Sequence, residues 1–243
     1  MKFAFFTLCL LSFLTTNSQI ISLDNSNEVK NQNENSILIR TSFDQCFRNV
    51  AINPYYNNST IDNLVQERPL NLISSEINVN CTINRFFSYS FGIGYFQNGE
   101  SNSFISNVND STNIYKNHFQ YLGLPIKILW NPLSIPKNNH KLKINFNLGI
   151  IPSLLFSYKQ KNQWTTSYGA QGASLLKVRD EINSYNLEVV SEIDFSYFFI
   201  ENTAIHIIGT YRNSLTNSFN QYGSYKRNPY SYGIGIGISK TFG

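Results

Sequence analysis

The chain is short of charge. Asp, Glu, Lys and Arg make up 14% of its 243 residues, and the formal net charge is only +4. The basic residues are scattered rather than gathered in a stripe, so no nucleic-acid partner is expected. An apolar run of the roughly 20 residues that a membrane-spanning helix needs is also missing. A membrane protein of this composition would have to be a barrel. No phosphate-binding glycine loop, CxxC or HExxH motif occurs. No cofactor and no metal site are therefore expected, and the sequence offers no positive sign of an enzyme.

Cysteine is scarce too, with three in all: Cys9, Cys46 and Cys81. Cys9 lies inside the apolar run Phe3–Leu14, which follows Lys2 and precedes the small polar segment Thr15–Ser18. That arrangement reads as a secretory signal over residues 1–18, cut after Ser18. Because Cys9 is inside the run rather than at its end, a lipoprotein anchor is not expected. Residues 19–34, rich in Asn, Ser and acidic groups, read as a flexible leader. Residues 35–243 are then one domain.

What the chain has in quantity is aromatic residues (15%) and alternation of period two. The closing stretch shows it best. Tyr230, Tyr232, Ile234, Ile236, Ile238 and Phe242 share one face, and Ser231, Gly233, Gly235, Gly237, Ser239 and Thr241 the other. An apolar outside over a small, polar inside suits a strand that faces lipid. Seven earlier segments repeat the pattern, beginning at Ser36, Leu70, Phe87, Tyr115, Lys141, Asn183 and Thr203. Pro125 and Pro152 are expected to mark irregularities, since proline removes a ladder donor.

The connections alternate in length. Those after the first, third, fifth and seventh segments are long; those after the second, fourth and sixth are short. Aromatics gather near predicted strand ends. Phe87, Trp130, Phe199 and Phe242 fall at one level, and Phe43, Tyr95, Tyr115, Tyr158, Tyr185 and Tyr230 at the other. An even strand number, unequal connections and two aromatic girdles describe an all-β, eight-stranded antiparallel up-and-down transmembrane β-barrel of the outer membrane. A soluble lipocalin-like barrel would instead need an apolar lumen.

The faces opposite the apolar ones carry Arg40, Glu76, Lys127, Lys143, Glu188, Glu192, Asp194 and Arg212, four cations and four anions. Buried charges must be paired, so a balanced lumen network is expected. The short sixth connection suggests a register in which paired residue numbers sum to about 400. This sets Glu188 opposite Arg212, Asp194 opposite His206 and Phe195 opposite Ile205. Arg40 and Glu76 form a further candidate pair. His206 with Asp194 and nearby Glu192 could be a catalytic or metal cluster; a salt-bridged core is the plainer reading, because eight strands enclose just enough room for side chains. Some barrel enzymes of this size, such as lipid A deacylases, carry a Ser/His pair on one strand near the rim. His118 has Lys116 and Gln120 at alternate positions, so that pattern is missing. Cys46 and Cys81 fall at opposite strand ends, and no disulfide is expected.

Tyr121-Leu-Gly-Leu-Pro-Ile-Lys127 resembles the fourth-strand signature of the outer-membrane β-barrel proteins of the Bacteroidetes often called PorT-like. Leu148-Gly-Ile-Ile-Pro-Ser-Leu-Leu-Phe-Ser157 is similar to that group's fifth strand, and Tyr232–Phe242 to its closing strand. The resemblance covers roughly residues 36–243. It implies insertion by the barrel-assembly machinery, which reads a C-terminal strand ending in an aromatic; here Phe242 is followed by Gly243. It also implies, for some members, service to a secretion and gliding apparatus. No functional residue carries over, because the matching positions encode barrel geometry.

The expected function is structural or interactive, exerted through four long loops rich in Asn, Ser and Tyr. The third loop holds Lys159, Lys161, Lys177 and Arg179. Its expected partners are outer-membrane lipid and lipopolysaccharide phosphates, or a protein docked on the loops. A small-solute channel is the alternative, and a rim-located lipid-modifying enzyme centred on His118 a more distant one.

Overall fold

The structure, a computed structural model, describes residues 35–52, 66–84, 86–106, 111–132, 141–166, 168–176, 182–200, 202–219 and 225–242. Residues 1–18 and 19–34, read above as signal and leader, and Lys177 and Arg179 lie outside the described residues.

Period-two alternation becomes strand in all eight segments, because only an extended chain sends successive side chains to opposite faces. The strands are β1 (Asn35–Ile52), β2 (Gln66–Arg68), β3 (Leu70–Thr82), β4 (Phe87–Ser106), β5 (Ser111–Gly123), β6 (Ile126–Trp130), β7 (Leu142–Thr165), β8 (Gln171–Leu176), β9 (Tyr185–Ile200), β10 (Thr203–Ser214) and β11 (Tyr225–Phe242). Pairing runs β4–β3–β1–β11–β10–β9–β7, and β5 and β6 join β7 back to β4. Every pairing is antiparallel, and the ring is closed. β5 and β6 together form one stave, while β2 and β8 only extend β4 and β7 outside the ring. Eight staves remain.

Pro125 interrupts the fourth stave as expected. Its carbonyl still accepts from Gly92 N at 3.1 Å, and Leu124 N donates to Pro152 O at 2.9 Å. Pro152 itself stays in register opposite Leu187. The break in β7 comes later, at Phe156, where the pairing with β5 shifts between Gln120 and Tyr121.

The outward face is a continuous apolar band, with Ile39, Phe43, Ile93, Ile128, Leu148, Phe156, Ile207, Ile234 and Ile236 each more than half exposed. Such a surface belongs in hydrocarbon, not water. The chain is a transmembrane β-barrel of the outer-membrane type. At the short-turn end Phe87, Trp130, Phe199 and Phe242 are exposed as one girdle, and Trp130 packs on Phe146 with ring centroids 5.7 Å apart. The first short turn is held by Asn84, whose Oδ1 accepts from the amides of Phe86 and Phe87 at 2.9 Å each.

At the other end the girdle includes Phe43 and Tyr185, but two of the residues expected there turn inward. Tyr158 is buried and donates to Asn117 Oδ1 at 2.8 Å. Tyr115 donates to Glu100 Oε1 at 3.1 Å. For Tyr158 the β7 irregularity beside it resets the alternation.

The long connections are also more ordered than their composition suggested. β4 runs to Ser106, β5 starts at Ser111 and β7 runs to Thr165 before folding back as β8. At about 3.4 Å per residue these strands far exceed the 9–11 residues that span a bilayer. The barrel wall therefore continues above the membrane as paired strand.

Candidate functional site: a filled lumen

Three layers of side chains occupy the interior. In the middle, Arg40 on β1 stands directly opposite Glu76 on β3. Its guanidinium Nε pairs with Glu76, and Nη2 with Glu192 of β9. Lys127 of β6 completes the group, with Nζ 2.6 Å from Glu76 Oε1 and 2.9 Å from Glu192 Oε1. Two cations and two carboxylates thus neutralise one another, and Asn78 and Asn147 donate to Glu76 and Glu192 at 2.6 and 3.1 Å. Charges this deep persist only when paired and hydrogen-bonded.

Toward the long-hairpin end, Arg212 of β10 reaches Asp44 Oδ2 at 2.7 Å and Glu188 Oε2 at 3.4 Å. It also donates to Ser74 Oγ and Gln97 O at 3.2 and 3.1 Å. Glu188 accepts from Asn98 and from Asn186. Beside this layer sits an apolar plug of Phe96, Phe119, Tyr121, Ile151, Leu155, Tyr158, Ile182 and Val190. Arg212 lies over the Phe96 ring, 5.4 Å from its centroid, which joins the two. Between the layers, a gap lined by Arg40, Ser42, Ser74, Glu76, Phe96, Thr210 and Arg212 measures about 10 Å³, room for one water at most.

Toward the short-turn end, His206 Nδ1 lies 2.9 Å from Asp194 Oδ1 and Nε2 lies 2.7 Å from Ser239 Oγ. Ser–His–Asp in this order is the arrangement of acyl-transfer nucleophiles. Ser239, however, is in ladder register with Leu38 on one side and Ala204 on the other. Its backbone is taken up by the sheet, so it supplies no amide to an oxyanion. Glu192 is committed to Arg40 and Lys127 and takes no part. The series satisfies three buried polar groups.

The β9–β10 register differs from expectation. Asp194 faces Ile208, Phe195 faces Ile207 and Glu188 faces Ser214, because Phe199 bulges out of the ladder next to Thr203/Ala204. The slip is two residues, which keeps every side chain on its predicted face. His206 still reaches Asp194, and Arg212 still reaches Glu188, along diagonals rather than rungs.

Lys143 is a second correction. It is exposed at the short-turn rim with Nζ 4.7 Å from the Phe198 ring centroid, apart from the network. With Lys143 outside, and with Asp44 and Glu100 buried inside, the interior is richer in carboxylate than the balance read from sequence. Ser74 donates to Asp44, and Glu100 accepts from Asn117 and Tyr115 with Arg48 Nη1 4.0 Å away. Asp44, Ser239 and, from the plug, Phe96, Phe119 and Tyr121 were legible by parity: each alternates with a residue already placed inside.

The glycines of β11 make room for this content. A Cβ on Gly233 would lie 2.1 Å from Asp44 Oδ1, and one on Gly237 3.0 Å from Arg40 Cβ. The thiols of Cys46 and Cys81 are free; Cys46 is opposite Leu70, far along β3 from Cys81.

His118 stands on the outward face of β5 above the apolar band, with Nε2 2.9 Å from Gln97 Oε1. Partial burial and then the neighbouring Lys159 ammonium push its imidazole below the ordinary histidine value.

No family model matches the chain, and no curated protein does either. Solved structures similar to it are outer-membrane proteins. OprG from Pseudomonas aeruginosa aligns with a TM-score of 0.48 at 10% identity, covering 85% of this chain and 95% of that one. Neisserial surface protein A aligns at 0.41 and 12% identity, covering 86% and 97%. The Escherichia coli outer membrane protease OmpT aligns at 0.37 and 9% identity, covering 90% and 99%. At such scores the closed ladder and the exposed apolar band carry the fold assignment by themselves.

Proposed function

We propose that this chain is an integral outer-membrane protein whose closed, charge-paired lumen is structural and whose work is done by the surface at the long-hairpin end. The observation that carries the reading is the stacking of the Arg40–Glu76–Lys127–Glu192 group under the Arg212 layer and the apolar plug. A lumen filled in this way supports neither a solute path nor a substrate pocket. Short turns face the periplasm in barrels of this type and long connections face outward, so β2, β8 and the ends of β4, β5 and β7 would present to the exterior. Kinship with the PorT-like group, and through it a role beside a secretion apparatus, is the specific form that the Tyr121–Lys127 signature favours. The protein is proposed not to be an enzyme; the barrel-assembly machinery would insert it.

Conductance in planar bilayers tests this reading. A plugged barrel gives no stable openings at ordinary potentials. Reproducible unit conductance from the wild-type protein would make it a small-solute channel instead.

A further inference from the structure

Negative charge is confined to one side of the barrel wall. Every Asp and Glu whose side chain is described (Asp44, Glu76, Glu100, Glu188, Glu192 and Asp194) is buried inside. Apart from Lys127 in the lumen, the lysines whose side chains are described are exposed or half-buried, and on one patch they face each other. Lys116 on β5 is directly opposite Lys161 on β7, and His118 is directly opposite Lys159. All four side chains are on the outward face; Lys159 and Lys161 are exposed, and Lys116 and His118 half-buried. Lys116 and Lys161 thus set like charges opposite one another across the ladder, which repel, and His118 stands beside Lys159 as a neutral hydrogen-bonding group. No described carboxylate stands on this face to relieve them.

The patch has a definite height. Phe156 on β7, 65% exposed, and Leu122 on β5, 47% exposed, are the last bulky apolar side chains of the band below it. Lys159 and His118 follow within three or four residues, roughly 10 Å along the strand. That places Lys159 and His118 at the headgroup layer that flanks the hydrocarbon core, with Lys116 and Lys161 two residues further out on the same face. Leu175 of β8, opposite Lys161 and exposed, borders the patch on its far side. The surface is therefore cationic, apolar below, and turned toward the lipid rather than toward the solvent above the barrel.

We infer that Lys116, His118, Lys159 and Lys161 form a binding site for the phosphate groups of a glycolipid of the outer leaflet, lipid A, whose acyl chains would lie along the band beneath. This rests on the outward orientation of the long hairpins proposed above. Phosphate neutralises cations that no described carboxylate on this face offsets, and a diphosphorylated headgroup can bridge the two cross-strand pairs. Anionic lipid attracts basic residues at this level generally; the rigid paired strands make this a fixed site.

The test is binding of purified lipid A to the refolded full chain in micelles, with three ligands: diphosphorylated lipid A, its dephosphorylated form, and inorganic phosphate. The Lys116→Gln/Lys159→Gln/Lys161→Gln protein should bind diphosphorylated lipid A at least tenfold more weakly than wild type. A Lys141→Gln/Lys240→Gln control should bind normally. Dephosphorylated lipid A and inorganic phosphate should both bind wild type weakly. Equal binding by the triple variant, equal binding of the dephosphorylated lipid, or equal binding of inorganic phosphate would each overturn the inference. Conductance measured on the same preparations reports separately on the closed lumen, so loss of one reading does not masquerade as loss of the other.

Discussion

Lys127 Nζ lies 2.9 Å from Glu192 Oε1, although β6 and β9 are not neighbours in the sheet. β7 runs between them, paired to both. The contact bridges the curve of the wall, and Arg40 closes the same carboxylate from the other direction across β11 and β10. Charges that meet over intervening strands set the bore of the barrel, and here they cross it.

Removing one member of this group should therefore be costly. Lys127→Met leaves Glu76 and Glu192 sharing Arg40 alone, and breaking a buried pair from one side typically costs about 3–5 kcal/mol. Lys127→Met/Glu192→Gln should recover much of the loss, since one cation and one carboxylate remain. Urea unfolding in lipid vesicles measures both. Equal destabilisation by the single and double changes would mean the charges are not coupled.

Two glycines in the wall make a paired test. A Cβ at Gly149 would meet Ile126 O at 2.3 Å and Lys127 Cα at 2.8 Å, whereas one at Gly209 meets nothing within 4 Å. Gly149→Ala should cost about 1–3 kcal/mol through backbone displacement. Gly209→Ala should be neutral or gain up to about 1 kcal/mol by restricting the unfolded chain. The same urea assay decides, and the reverse order would contradict the β6–β7 packing.

The sequence carried the barrel well because its signal is redundant. Eight segments each state which face is inside, and an error in one is corrected by its neighbours. That parity put Arg40 and Glu76 on the same inner face; the β1–β3 register sets them on one rung. What parity cannot do is fix which rung a residue occupies. The bulge at Phe199 moved the β9–β10 register by two residues without moving any side chain to the other face, and nothing in the turn composition announced it. Long polar connections hid strand for a related reason. Asn98 and Asn102 read as loop residues, yet they are buried, and Asn98 serves as a donor to Glu188. Lys143 was misplaced because its parity is inward while its height is at the rim.

The thiols give a chemical check on the first hairpin. Cys46 is fully buried and Cys81 half-buried, and neither is bonded to the other. In protein purified without reductant, alkylation after denaturation should label both, while the folded barrel should shield Cys46. A species with both thiols consumed in one intramolecular bond would contradict the β1–β3 register.

His118 supplies a pH dependence. Burial, with a further push from Lys159, lowers its pKa. The imidazole is therefore neutral in the folded protein at pH values where the unfolded chain has begun to protonate. Folding stability from this site is complete above the unfolded histidine pKa and declines as pH falls through it toward the folded value. Lys159→Gln removes the cationic push, so the His118 pKa should rise and the decline should become shallower. NMR titration of the imidazole reads the shift directly; a fall in pKa would place Lys159 elsewhere than opposite His118.

The central feature of the protein is a closed barrel in the outer membrane. Electrophoresis of membrane fractions with and without heating tests that most directly. The protein should pellet with outer membrane, and unheated samples should migrate away from the heated position because the closed ladder resists detergent at room temperature. A soluble protein that migrates identically before and after heating would contradict it.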